Sequence, residues 1–455
     1  MTLYEKMTGT PIPKLILTLS VPTIISMLVT NIYNLADTAF VGQLGTSASG
    51  AVGVVFGFMA VIQAFGFMFG QGSGSIISRA LGKGMNEYAS AHASMGFCAS
   101  FVCGGIISAI GAIFLDDIVY LLGSTETIAP YAKTYITYII ISAPFMSSSL
   151  TLNNILRYEG KALLGMIGLM TGAVLNIAAD PFFMFVLKMG IGGAGLSTAL
   201  SQFISWGILL AMFLSGKTVT KISLSDLRNS RMYYLLNIIV TGFPSLLRQG
   251  LNSFSTVLLN ARCAVYGDAA VSAMSIVTRI IFFAFSIALG IGQGFQPVSG
   301  FNYGAGKYSR LRKAFRFTAL ASEGIILVGC VILTILACSL VGIFRDDPDV
   351  IEIGTRALRL QAISQIVLPV CMTIEMLYQS TGKRLGASLL SSMRSGLLFI
   401  PTLLLLARYR GLAGIQEAQP IALVLSLPLT IPFAVHFFNK LPREDKEAPL
   451  PEKEQ

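Results

Sequence analysis

The most constraining feature of this sequence is the recurrence of long apolar stretches, separated by short polar, Gly- or Pro-containing breaks. A helix needs about 20 apolar residues to cross a ~30 Å hydrocarbon layer. Runs of that length fall near 15–38, 49–71, 91–115, 131–156, 163–187 and 192–215, and again near 234–260, 271–297, 315–344, 357–380, 388–407 and 412–438. Composition agrees: 54% of residues are hydrophobic and 12% charged, about half the charged share of soluble domains. Lipid is therefore the expected solvent, with each span satisfying its backbone hydrogen bonds internally. A membrane β-barrel would show alternating segments of about ten residues, and no sustained alternation occurs. The expected fold class is an all-α integral membrane protein of twelve transmembrane helices.

The net charge of +10 bears on topology rather than on nucleic acid, because in a membrane chain the position of Lys and Arg sets orientation. With both termini in the cytoplasm, 22 of the 32 basic residues fall inside, including Arg394 at the start of the eleventh span; eight fall outside, and Arg248 and Arg279 fall within spans. That orientation is favoured over its inverse, in a cell (inner) membrane. Met1 to Pro13 is short and polar and leads into a run long enough to span, so no cleaved signal is expected. The six cysteines show no CxxC and no paired His, which supports neither a metal centre nor a disulfide framework. Gly70-Gln71-Gly72 lacks the Lys-Ser/Thr that follows in a phosphate loop, so neither nucleotide binding nor ATP is implied. Gly66, Gly70 and Gly74 read instead as a close-packing face. No cofactor is expected. No nucleophile or metal constellation points to an enzyme.

Sliding the chain on itself by 222 residues brings Pro22 onto Pro244, Gly45 onto Gly267, Gly70-Gln71-Gly72 onto Gly292-Gln293-Gly294 and Gly160-Lys161 onto Gly382-Lys383. Such ungapped coincidence marks an internal repeat. Six helices per half return the chain to the side it entered, so the repeats are parallel, the plan of rocking transporters. The expected organisation is an N-terminal lobe over 1–215, a cytoplasmic linker over 216–232, a C-terminal lobe over 233–440 and a charged tail over 441–455.

Intramembrane carboxylates are costly and mark function by default. Asp37 and Asp180 lie among neutral oxygen donors; Glu323 and Glu375 lie in the second half. On the first span Asn31, Asn34 and Asp37 or Thr38 share one face, which should line a cavity. On the fifth, Asn176 and Asp180 stack four residues apart, and Pro181 frees the carbonyl of Ile177. If the two helices face each other, these oxygens can hold a bare monovalent cation or share a proton. The competing reading is a set of structural polar contacts between packed helices. At the repeat offset Asp37 becomes Leu259, Asn176 becomes Leu398 and Asp180 becomes Thr402, so ion binding should be confined to the first half. Glu375 falls opposite Asn153, and with Arg248 and Arg279 in the same half's spans its first reading is an ion pair. Glu323 is read as hydrated near a span's end.

These residues resemble the multidrug and toxic compound extrusion (MATE) transporters over essentially the whole chain. The resemblance is carried by Pro22 with Asn31 to Gly42, Asn153 to Lys161, Asn176-Ile-Ala-Ala-Asp180-Pro181, and Gly193 to Gln202. It implies a V-shaped pair of six-helix lobes and Na+- or H+-coupled antiport of organic cationic, amphipathic compounds, with membrane lipid as surroundings and a monomer as the working unit. Carried across by motif, the cation site comprises Asp37, Asn176, Asp180 and Thr198, with Tyr135 and Asn153 completing the polar network. Na+ would sit at Asp37, Asn176, Asp180 and Thr198. Asn31, Asn34 and Glu375 are the candidate substrate-cavity residues, and Pro22 the candidate hinge. A lipid-linked precursor flippase is the alternative within the same superfamily; twelve spans and an acidic first lobe argue against it.

Overall fold

The computed structural model describes residues 2–223 and 232–446, and its regular elements are all helices. In chain order they are α1 (Leu3–Gly9), α2 (Ile12–Gly42), α3 (Thr46–Gly82), α4 (Asn86–Ile113), α5 (Leu115–Leu121), α6 (Ala129–Tyr158), α7 (Ala162–Pro181) and α8 (Ile191–Leu214). They continue as α9 (Met232–Ala264), α10 (Asp268–Gly304), α11 (Tyr308–Ile335), α12 (Ala337–Phe344), α13 (Pro348–Ser364), α14 (Leu368–Ser380), α15 (Arg384–Ser392) and α16 (Phe399–Lys440). Ten helical stretches among the described residues are long and apolar enough to span a membrane. One of them, Arg384–Lys440, breaks at Gly411 (φ 60, ψ −136) and supplies two spans, while α9 adds another that its polar residues keep off the apolarity criterion. The total is the twelve expected. The run near 315–344 is not one helix: it divides at Leu336 into α11 and α12.

The chain forms two compact units, the first over Ile25–Leu246 and the second comprising the described residues up to Ile24 and from Leu247 onward. The units part from the sequence halves at the heads of α2 and α9. Residues 2–24 group with the second unit, and 232–246 with the first. Close backbone approach explains each. In the first unit a Cβ on Gly242 would lie 1.9 Å from the Met68 carbonyl oxygen, and one on Gly72 would lie 2.4 Å from that of Ile238. In the second unit a Cβ on Gly294 would lie 2.8 Å from the Ser20 backbone nitrogen. Ser20 and Gly242, like Gly72 and Gly294, are 222 residues apart, so this is one helix contact made twice. Pro22 lies inside α2, two residues before the change of unit, and the helix runs on through it.

In the first unit α6 is the central helix: 72% of its most apolar stretch is buried, against 22% for α4. A helix that meets protein rather than lipid tolerates hydroxyls, provided each finds an acceptor. Ser142, Ser148 and Ser149 bond back to the carbonyls of Ile139, Pro144 and Met146 at 3.0, 2.6 and 3.0 Å. The glycine face of α3 packs here: Cβ atoms on Gly66, Gly70 and Gly74 would meet Ser147, Asn154 and Tyr158 of α6 at 3.0, 2.9 and 2.2 Å. That is the close-packing role read from their spacing. Pro348–Ser380, made of α13, a 3₁₀ turn and α14, is likewise 72% buried and central to the second unit. The outward faces are apolar, as lipid requires, with Ile106, Ile110 and Ile113 of α4 and Leu320, Val328 and Ile335 of α11 all exposed.

Repeat-related glycines take matching backbone roles. Gly45 (φ +116) precedes α3 and Gly267 (φ +92) precedes α10, at a conformation only glycine adopts cheaply. The linker beyond α8 is tied to the first unit by Glu159, in the turn between α6 and α7. Its carboxylate accepts the backbone N–H of Val219 at 2.9 Å and of Thr220 at 3.2 Å, together with the Thr220 hydroxyl. Burial pushes this acid up to about 7, against the pull of those donors and of Lys161. The part of the linker over 224–231 lies outside the described residues.

Candidate functional site

The first unit brings α2, α6, α7 and α8 together around two carboxylates. Asp37 is 3% exposed and Asp180 fully buried, and the two lie within electrostatic reach of each other. From the central helix, the Tyr135 hydroxyl donates to Asp37 Oδ2 at 3.4 Å and lies within hydrogen-bond reach of Thr198. On α7 the Asn176 amide donates to Asp180 Oδ1 at 3.4 Å, one helical turn away. The same amide nitrogen approaches Ser197 Oγ at 3.2 Å and Thr198 Oγ1 at 3.3 Å on α8. Ser197 returns a hydrogen bond to the Asn176 carbonyl at 3.3 Å. Pro181 ends α7, and the chain continues as a π-helical turn over Phe182–Val186, a departure from i→i−4 bonding of the kind found at functional sites.

The acceptors exceed the donors. Asp37 Oδ1, Asp180 Oδ2 and Asn176 Oδ1 are buried with no hydrogen-bond partner. Neither carboxylate has a salt-bridge partner among the described residues. Buried oxygens left this way are expensive, and a cation or proton in their midst resolves the cost. No group of three or more His, Cys, Asp or Glu side chains that could hold a metal ion occurs among the described residues. Two carboxylates with neutral amide and hydroxyl oxygens suit a monovalent ion better than a transition metal.

Sequence-derived residues distribute unevenly around this cluster. Asp37, Tyr135, Asn176, Asp180 and Thr198 come together. Asn153 does not: its amide packs against Gly165 near the start of α7. Gly165 is eleven residues, or about 16 Å of helix rise, from Asn176. Asn31 and Asn34 are half-buried on α2, where Asn34 accepts the Thr38 hydroxyl at 2.8 Å through its carbonyl. Two contributors were missed. Ser197 hydrogen-bonds Asn176 and lies close to Asp180, and Tyr33 lies within electrostatic reach of both carboxylates. Each sits beside a sequence-derived residue, Thr198 or Asn34, and adjacency is its only sequence signal.

The second unit carries a different constellation. Glu375, 5% exposed on α14, forms an ion pair with Arg248 of α9 at 2.8 Å and accepts the Ser391 hydroxyl at 2.8 Å. Its partner is thus Arg248, and Glu375 is engaged in a salt bridge rather than standing as a lone cavity acid. Arg394, grouped on sequence with the inner-side basic residues, lies in a π-helical turn over Met393–Leu397, close enough to Glu375 to interact electrostatically. Glu323 is half-buried on α11, and its Oε2 is buried without a hydrogen-bond partner. Breaking a buried pair leaves a bare charge, at about 3–5 kcal/mol. Glu375→Ala is therefore expected to lower the unfolding midpoint of the detergent-purified protein markedly, whereas Glu417→Ala, whose arginines are half-exposed, should change it little.

Twelve spanning helices around a buried carboxylate cluster that no base neutralises have the make-up of a membrane transporter. The MatE family model matches twice, over residues 22–182 and 244–405, its two starts 222 residues apart as the internal repeat requires. The chain belongs to the MATE family of transporters. It is 28% identical over 410 residues to the multidrug export protein MepA of Staphylococcus saprophyticus, covering 89% of each chain. To MepA of Staphylococcus aureus it is 27% identical over 414 residues, 90% of each. Among solved structures it superposes on a MATE transporter in complex with MaL6 with a TM-score of 0.91 at 25% identity, covering 97% of this chain and 99% of the other. The outward-facing conformation of a multidrug resistance MATE family transporter gives the same TM-score, identity and coverage.

Proposed function

We propose that this transporter exports organic cationic, amphipathic compounds in exchange for Na+ or H+ moving inward through the Asp37–Asp180 cluster. The observation that carries the reading is the set of three buried, unpartnered acceptor oxygens on Asp37, Asn176 and Asp180. Relatives named for multidrug export support the cargo class. Either ion meets the same atoms: Na+ would be held by the carboxylates of Asp37 and Asp180, the Asn176 amide oxygen and the Thr198 hydroxyl, with Ser197 beside them, whereas a proton would be shared between the two acids. An ion shifts the inward- and outward-open populations only by its differential affinity for them. The carboxylates must therefore change surroundings between states, and Pro22, next to the point where α2 changes unit, is the hinge proposed for that change. The working orientation has both termini in the cytoplasm of a monomer in the inner membrane, with 1–215 and 233–440 as evolutionary lobes and 441–455 as a tail.

Reconstituted vesicles loaded with ethidium test this. An imposed Na+ or H+ gradient should accelerate ethidium movement, with the effective gradient naming the ion, and the matching ionophore should abolish the effect. Transport indifferent to both gradients would end the coupling proposal.

A further inference from the structure

The middle of α9 presents a polar face that nothing in the second unit covers. Asn252, Ser253 and Thr256 are exposed, and Gln249 and Asn260 are half-exposed. At 100° per residue these five positions fall within one arc of about 100°. The exposed apolar residues Phe254 and Val257 lie outside that arc, and the buried Arg248, Ser255 and Leu259 occupy the opposite edge. An exposed amide and hydroxyl face at the depth of a span cannot rest in hydrocarbon. It lines water.

The polar arc adjoins an excess of positive charge. Glu375 is one carboxylate between two guanidiniums, Arg248 and Arg394, and it hydrogen-bonds only the first. The Arg394 guanidinium stands 5.6 Å from the centroid of the Phe285 ring and has no hydrogen-bond acceptor among the described residues. Its neighbour Ser395 ties the π-helical turn to the arc, donating its hydroxyl to Asn252 Oδ1 at 2.5 Å and accepting from Ser255 through its carbonyl. The repeat sharpens the contrast. Ser253, Thr256 and Asn260 correspond to Asn31, Asn34 and Thr38, so both units keep a polar stripe on the same helix. Asp37, however, is replaced by Leu259, and Arg248 and Arg394 replace Ser26 and Gly172. The same framework is acidic in one unit and basic in the other.

We infer that Arg394, with the Asn252–Thr256 face of α9, forms a binding site in the second unit for a carboxylate carried by a transported compound. This rests on the chain exporting amphipathic organic compounds and assigns the place in the second unit where an acidic group of such a compound is held. A planar guanidinium over an aromatic ring offers a carboxylate paired, charge-assisted hydrogen bonds, and the neighbouring amide and hydroxyls supply further donors.

Rhodamine B, which carries a free benzoate, and its ethyl ester, which does not, are matched probes. Fluorescence polarisation of each with the full chain in nanodiscs should show the acid bound roughly tenfold to a hundredfold tighter than the ester. Arg394→Gln should erase that preference and leave ester affinity unchanged, and Arg394→Lys should keep part of it. Sodium benzoate should displace the acid where sodium chloride at equal concentration does not; equal displacement by chloride would make this a general anion site and overturn the assignment. Equal binding of acid and ester by the unmodified protein, which no folding defect can cause, would overturn it as well. So would an Arg394→Gln variant that weakens both dyes alike. Ester bound without any preference for the acid sinks this inference alone; neither dye bound sinks the cation-export reading with it; acid bound and ester ignored sinks only the latter.

Discussion

Asp37→Asn is expected to abolish gradient-driven ethidium efflux while leaving a folded, membrane-inserted protein whose melting temperature is unchanged or higher. The two halves of that outcome share one cause. Asp37 is buried, has a single hydrogen bond from Tyr135 at 3.4 Å, and leaves Oδ1 without a partner. A carboxylate held this way opposes folding unless a cation joins it, because desolvation outweighs one long hydrogen bond. The amide of Asn removes the charge at nearly constant volume. It relieves that cost and forfeits the electrostatic capture of the ion in the same step. Asp180→Asn should behave alike, since Asp180 Oδ2 is equally unpartnered. Asn153→Ala should leave efflux near the unmodified level, because its amide packs against Gly165, away from both acids. Efflux by Asp37→Asn at the native rate would remove Asp37 from the mechanism.

Gly242→Ala is expected to cost about 3 kcal/mol of stability, at the upper range for overpacking, and to lower the thermal midpoint and the yield of monodisperse protein together. The added Cβ would stand 1.9 Å from the Met68 carbonyl oxygen and 3.2 Å from Gly72 Cα. Both are backbone atoms, so no side chain can rotate away and the two helices must separate. Gly250→Ala on the same helix meets nothing within 4 Å and exchanges a poor helix former for the best one, so it should be neutral or stabilising by up to about 1 kcal/mol. Equal midpoints for the two variants would show that the close approach of α3 and α9 does not hold the first unit together.

Much of this is legible in the sequence, for a reason that varies with the feature. Spans could be counted because apolarity over about 20 residues is a local property with one solution in lipid. The face shared by Asn31, Asn34 and Asp37, and the stacking of Asn176 on Asp180, follow from helical periodicity alone. Glu375 needed an opposite charge, and the sequence offered Arg248 and Arg279 as candidates. Only packing chose Arg248. The break between α11 and α12 at Leu336 carries no sequence signal because apolar composition continues through it.

What the sequence determined by itself is therefore the membrane class, the repeat, and the set of acids that no neighbouring base in their half neutralises. The tertiary structure decided which helices meet. It brought Ser197 and Tyr135 to the two aspartates and set Asn153 apart. It joined the heads of α2 and α9 to the units opposite their sequence halves, and placed Arg394 near Glu375 on a π-helical turn. The division has a physical basis: the 3.6-residue period fixes which side chains share a face of one helix. Which face meets which neighbour depends on where glycine and serine let two backbones close to contact, and that is a property of pairs of helices far apart in the chain.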